Sequence, residues 1–209
     1  SEAGITVDGE PTRAAASGGA REVASVSSAP LSDILALSLK TSDNTMTEVE
    51  GRLVAAHAKE TTDFSGASKA VLAQLSKDGF DTSGVTLLDS SGLAKGNKVP
   101  ARLLTQILTK AAGGEGGSAG RTLIADLPVA ALDGTLGNRL HDTSAAGTVR
   151  AKTGSLEQTA SLAGVVTTAD GRQLAFAVMA NGFPANGGGA AAAAIDNHFV
   201  APLASCGCS

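Results

Sequence analysis

Residues 147–164 read GTVRAKTGSLEQTASLAG. The stretch opens as a strand: Val149 and Ala151 alternate with Thr148, Arg150 and Lys152, the two-residue period of a sheet with one buried face. A cation (Lys152), a hydroxyl (Thr153) and a residue without a side chain (Gly154) then come in succession. A strand edge equipped in this way can take an anionic substrate. The ammonium supplies charge, the hydroxyl donates to a carboxylate, and the glycine lets another backbone approach. Two further apolar runs, QTASLAGVVTT and RQLAFAVMAN, are joined by Ala169-Asp170-Gly171, and Asp-Gly between apolar runs signals a hairpin. Gln173–Ala180 is apolar on both faces and is expected inside a sheet.

A lone Lys-Thr-Gly says little, but far upstream LKTSDNTMTE holds Ser42-Asp43-Asn44. These residue types cap helices everywhere. The reading gains weight from the pair: S-D-N and K-T-G, beside S-x-x-K, form the motif set of the penicillin-recognising serine enzymes. The segments around both triplets, SSAPLSDILALSLKTSDNTMTE, LLDSSGLAKGNKVPARLL, LPVAALDGTLGNRL and AGTVRAKTGSLEQTASLAGVV, resemble the D-alanyl-D-alanine carboxypeptidase/endopeptidase family of low-molecular-mass penicillin-binding proteins (peptidase family S13), in its order. The resemblance covers about Ser27 to Val166. It implies an α+β fold, the serine β-lactamase/penicillin-binding-protein (transpeptidase-like) arrangement of an antiparallel sheet flanked by helices, incomplete in this chain.

The third motif is missing. The residues three places before each lysine are Leu37, Ala56, Gly66, Gln74, Gly92, Lys95, Ile107 and Val149, and none is a serine. By resemblance, residues 1–28 are the tail of an inserted domain and a linker, and 29–209 the C-terminal part of the penicillin-binding catalytic domain. The Ser-x-x-Lys nucleophile would then lie on an N-terminal segment of the same precursor, a partner without which this chain is expected to be inactive. Alone it would expose an apolar face and be held by a companion fragment or be poorly soluble. The resemblance further assigns Ser42, Asn44 and Lys152 to catalysis, and Thr153, Gly154 and Ser155 to binding the substrate's terminal carboxylate and oxyanion. The substrates implied are peptidoglycan peptides, with β-lactam antibiotics as inhibitors, outside the cytoplasmic membrane. Lys95 reads either as a solvated lysine or as a contact for an anionic part of the peptide, such as a diaminopimelate carboxylate.

Composition removes other classes. With 16 basic and 20 acidic residues and a net charge of −4, and with no basic block, nucleic acid is not an expected partner. No apolar run approaches the roughly 18 residues of a membrane span. The three histidines accompany no G-x-S-x-G elbow, and no His/Asp/Glu cluster offers a metal site; no cofactor is expected. The Gly-rich 111–122 fails phosphate-loop spacing, and Gly187-x-Gly189-x-x-Ala192 lacks the later acidic residue of a dinucleotide fold. Against the enzyme stands a non-enzymatic alternative, a domain that binds muropeptide without turning it over. A β-lactamase comes third.

Along the chain, GITVDG reads as a strand and turn, TRAAASGGA as a flexible link and REVASVSS as an entering strand. LSDILALSLK reads as a short helix. The next helix carries Met46, Val49, Leu53 and Ala56 on one face, with Thr45-x-x-Glu48 as its capping box. Asp63 or Ser65 caps FSGASKAVLAQLSKDG, VTLLDSSGL reads as a strand, and PARLLTQILTKAAG is an amphipathic helix. AAGGEGGSAGRT is expected to be a loop, and NGGGAAAAAIDNHFVAPLAS a packing helix. Cys206 and Cys208 are expected to be free or paired outside the chain, because a bond between them closes a very tight ring.

Overall fold

The computed structural model describes residues 4, 6, 8–10 and 12–207. Its sheet has three antiparallel strands in the order β1-β2-β3: β1 (Val149–Leu156), β2 (Thr159–Thr167) and β3 (Gln173–Asn181). The two-residue turn Glu157-Gln158 joins the first pair, and the expected Asp-Gly hairpin joins the second. Val149 pairs with Val166 and Ala151 with Gly164, so the alternation read in the sequence puts both on one buried face. On that face Val149, Ala151, Ala160, Leu162, Val166 and Phe176 meet Ile195, Val200 and Ala204 of the C-terminal helices. Those helices are α6 (Gly188–Ile195), a π-helical turn (Asp196–Val200) and α7 (Ala201–Ser205). Burying each such Val or Leu contributes roughly 1.5–3 kcal/mol.

The helical lobe comprises α1 (Leu31–Thr41), α2 (Asn44–His57), α3 (Phe64–Lys77), α4 (Ala101–Ala112) and α5 (Gly117–Asp126). Its α4 packs on β2 and β3. The segment 127–140 crosses between lobe and sheet. Arg139 donates to both carboxylate oxygens of the buried Asp196, at 2.9 and 2.6 Å. The charges of LPVAALDGTLGNRL thus hold a loop in place.

Several expectations change. The cap of α2 is Asp43, which accepts from the Met46 N–H, so Thr45 lies inside the helix and not at its start. Of the α2 stripe, Met46 is partly buried, but Val49, Leu53 and Ala56 are exposed, while Gly51 and Ala55 are buried. Small residues face the neighbouring elements because α3 and the Ser90 loop come close; a methyl on Gly51 would lie 2.0 Å from Ser90 Oγ. Of the loop expected over 111–122, the part from Gly117 onward is helical and belongs to α5. Gly120 sits where an added Cβ would lie 2.9 Å from Ala111 Cα, so glycine serves close packing of α4 on α5. VTLLDSSGL makes only an isolated bridge, Thr86 to Lys98, because Asp89 folds the residues after it into a loop. REVASVSS is no strand and pairs with none among the described residues, with Val23 and Val26 almost fully exposed, since a strand needs a neighbour. Of GITVDG, Ile5 and Val7 lie outside the described residues. β3 is an edge of the described sheet and not an interior strand. Cys206 is disulfide-bonded, not free; the other cysteine, Cys208, lies outside the described residues.

Candidate active site

Helix α1 ends at Ser42, whose backbone is left-handed (φ 56°, ψ 45°). That conformation turns the chain sharply into α2 and aims the Ser42 hydroxyl at the sheet. There Lys152 Nζ donates to Ser42 Oγ at 2.6 Å and to the Thr153 carbonyl at 2.9 Å. The two motifs, far apart in sequence, therefore meet through one hydrogen bond. Burial holds the Lys152 ammonium below its ordinary range. Among the described residues it has no carboxylate partner, so a half-buried positive charge faces only neutral oxygens. Such a charge attracts an anion.

The outer edge of β1 is closed at one end and open at the other. Ala130 N–H donates to the Val149 carbonyl, and Ala151 N–H donates to the Pro128 carbonyl. Pairing with 128–130 stops there. Strand geometry turns every second N–H the same way, so those of Thr153 and Ser155 face the open edge. The Ser155 side chain is exposed on it. The Thr153 hydroxyl donates to Thr135 Oγ1 at 2.8 Å. At Gly154 an added Cβ would lie 2.3 Å from Ser161 Oγ, its cross-strand partner. A side chain at 154 would have to turn the Ser161 hydroxyl aside.

Two more residues flank the cleft. Asn44 opens α2, and its side chain is exposed. Lys95 sits on a loop held from within by Asp89, which accepts from Gly92 N–H, Ala94 N–H and Asn97 Nδ2. Glu48 of α2 ties the same loop down through the Ser90 and Ser91 N–H groups. The loop carries Lys95 Nζ to 3.7 Å from Glu157 Oε2, at the tip of the β1–β2 hairpin and next to the open edge. Both groups are exposed.

The sequence model of the D-Ala-D-Ala carboxypeptidase 3 (S13) family matches residues 1–202. The chain belongs to that family. Carboxypeptidase DacB of Mycolicibacterium smegmatis is 45% identical over 194 residues, which is 91% of this chain and 41% of the relative. The chain thus spans about two fifths of that relative's length. The crystal structure of penicillin binding protein 4 (dacB) from Haemophilus influenzae, complexed with a β-lactam, superposes with a TM-score of 0.69 at 34% identity. That match covers 74% of this chain and 36% of the other. An extended-spectrum β-lactamase shares the fold alone, at TM-score 0.54 and 21% identity, over 72% of this chain and 55% of that one. The S13 chain has the α+β fold of penicillin-binding proteins and serine β-lactamases, as expected.

Of the residues singled out in the sequence, the fold brings Ser42, Lys152 and Thr153 together, places Gly154 and Ser155 along the same edge and sets Lys95 at its end. Asn44 stands at the rim. Thr135 was missed. Its signal was a lone threonine among the apolar and turn residues of LPVAALDGTLGNRL, which read only as a loop. No helix among the described residues of this S13 chain is long and apolar enough to cross a membrane.

Proposed function

We propose that this chain is the C-terminal part of a serine-type D-Ala-D-Ala carboxypeptidase/endopeptidase that acts outside the cytoplasmic membrane on peptidoglycan stem peptides and is inhibited by β-lactams. In this reading residues 29–209 belong to the catalytic domain and 1–28 to the tail of an inserted domain and its linker. The observation that carries it is the half-buried Lys152, with no carboxylate partner among the described residues, held against Ser42 beside an open strand edge.

The reaction uses a Ser-x-x-Lys supplied from outside these 209 residues. The serine oxygen attacks the carbonyl carbon of the D-Ala-D-Ala bond while its lysine takes the proton. The new oxyanion is held by the Ser155 N–H on the open edge and by the nucleophile's own N–H. One such donor is worth about 10²–10³ in rate. The C–N bond then breaks. Lys152 donates to Ser42 Oγ and stays a cation, which leaves the Ser42 hydroxyl proton free to pass to the departing nitrogen, the nucleophile's lysine replacing it with the proton it took. The Ser155 hydroxyl, and the Thr153 hydroxyl once Thr135 donates to it in place of accepting, grip the terminal carboxylate in the field of Lys152, and Asn44 holds the amide on the acyl side. Water then hydrolyses the acyl ester, releasing the peptide and restoring the serine. Lys95 meets an anionic side chain of the peptide, in competition with Glu157.

The test is labelling by a fluorescent penicillin, resolved on a denaturing gel, of the full-length protein and of the 209-residue chain. The expected label is covalent, falls on the segment carrying Ser-x-x-Lys and is absent from this chain alone. Label on this chain would reveal a nucleophile within it and overturn the mechanism. A full-length protein that takes no label but retains muropeptide would be the non-enzymatic binding domain.

A further inference from the structure

We propose that Lys40 and Asp133 are positioning residues of the active site, an ion pair that fixes the distance between the Ser42 turn and the Lys-Thr-Gly strand by way of Thr135. The inference rests on the proposed reading of the cleft and adds to it the part that sets its width.

Lys40 lies in the last turn of α1, two residues before Ser42. Its ammonium has three protons and three acceptors: Asp133 Oδ1 at 2.8 Å, Asp133 Oδ2 at 2.7 Å and the Leu127 carbonyl at 2.8 Å. Its donor capacity is thereby full. Lys40 therefore differs from Lys152, whose charge meets no carboxylate, and it offers nothing to an incoming anion. Asp133 is equally committed, because its Oδ1 also accepts the Val129 N–H at 2.8 Å. Burial pushes the Asp133 carboxyl up, but the hydrogen bonds from Lys40 and Val129 outweigh it, and the group stays below the ordinary carboxylate range.

The two residues after Asp133 carry the position onward. Gly134 has φ +56°, and an added Cβ would stand 2.8 Å from the Lys40 carbonyl and 3.1 Å from the Pro128 ring. The two backbones are therefore in direct apposition, closer than any side chain allows. The next residue, Thr135, accepts the Thr153 hydroxyl at 2.8 Å. On its other flank, the segment 128–130 is zipped to Val149 and Ala151, immediately before Lys152. The contacts close a ring: Ser42 to Lys40 through α1, Lys40 to Asp133, Asp133 to Thr135, Thr135 to Thr153, and Lys152 back to Ser42. One side of the ring is the proton relay. The other is the ion pair, which has no chemistry of its own to perform.

Magnitudes separate this role from simple stabilisation. The pair is partly exposed, at 25% for Lys40 and 42% for Asp133, and such pairs add little to folding. A catalytic group misplaced by about 1 Å can lose on the order of 100-fold in rate. Removing the pair should therefore leave the fold and slow the chemistry.

The test uses the full-length protein with its Ser-x-x-Lys segment. Lys40→Met, Asp133→Asn and the double variant are compared with wild type by stopped-flow acylation with a fluorescent penicillin, separating the acylation rate constant from the preceding affinity. Rates are normalised to active sites titrated by the same reagent, and Tm is recorded alongside. Each single variant is expected to acylate at least tenfold slower with affinity within about twofold, and the double variant no slower than the worse single. Thr135→Val, which deletes only the hydroxyl facing Thr153, is expected to slow acylation several-fold and keeps the test available if a charge variant fails to fold. Single variants acylating at the wild-type rate per active site, losses confined to the active fraction, or effects that multiply independently would each overturn the proposal. A wild type that takes no label would instead bring down the underlying reading of the cleft, and this inference with it.

Discussion

Lys152 is the residue at which stability and reactivity pull in opposite directions. Burial lowers its pKa from the ordinary 10.5. In the window between that lowered value and 10.5 the unfolded chain binds the proton more readily than the folded one, so stability rises with pH across it. Below the window both states are protonated and the cost of burying the charge is constant. Wild type is therefore expected to gain stability relative to Lys152→Met as pH climbs through the window, in thermal melts from pH 7 to 10.5. A difference independent of pH would place the ammonium in solvent. In the proposed reading, in which this cation meets the carboxylate, acylation by penicillin should run the other way and fall as the charge is lost, with a midpoint below 10.5. At this scale the sequence was legible wherever chemistry is written in consecutive residues. Lys152, Thr153 and Ser42 could be found because motifs name them. Thr135 could not, because its partner Thr153 lies on a different element and hydroxyl-to-hydroxyl contacts leave no periodic trace.

Element α1 ends on a residue that a helix terminus would not choose. Glycine is the usual left-handed cap, and a non-glycine residue there costs roughly 1–2 kcal/mol. Ser42 has φ 56°, and its hydroxyl is engaged by the charged Lys152, a bond worth about 1.5–3 kcal/mol net. The two terms oppose each other in Ser42→Gly, which relieves the backbone and loses the bond. Ser42→Ala loses the bond and keeps the strain. The glycine variant is thus expected to be about 1 kcal/mol more stable than the alanine variant in denaturant unfolding, while both lose penicillin acylation by about 10² or more. An alanine variant as stable as the glycine variant would show that the turn carries no strain. Elements whose pattern and punctuation agreed were readable: α1, α4, the Asp63 cap of α3 and the hairpin at Asp170-Gly171. Failures came where small residues packed. Gly120 fell in a stretch read as a loop and instead lets α5 touch α4, and the apolar face read on α2 gave no sign that Gly51 and Ala55 would be the residues buried.

The exposed part of the α2 stripe bears on the whole molecule. Val49 and Leu53 are one helical turn apart, 49% and 53% exposed, and Ala56 continues their face. The β3 edge is likewise unpaired among the described residues and apolar on both faces. The chain spans 41% of the length of its mycobacterial relative, and in the proposed reading the segment carrying Ser-x-x-Lys must reach the cleft between the helical lobe and the sheet. The stripe lies on the helical lobe and the β3 edge on the sheet. Completing the burial of a half-exposed leucine would contribute about 1 kcal/mol, and more once a packed neighbour would be left facing a cavity. Leu53→Gln should therefore have opposite effects in two settings. In the 209-residue chain by itself it removes exposed apolar surface and is expected to raise the concentration at which the chain stays in solution. In the full-length protein it places an amide in a packed interface and is expected to lower stability by about 1–3 kcal/mol, measured by urea unfolding. If Leu53 faces water in both, the full-length protein will unfold at the same denaturant concentration with either residue. In that case the N-terminal segment approaches by another route, and the β3 edge becomes the surface to test.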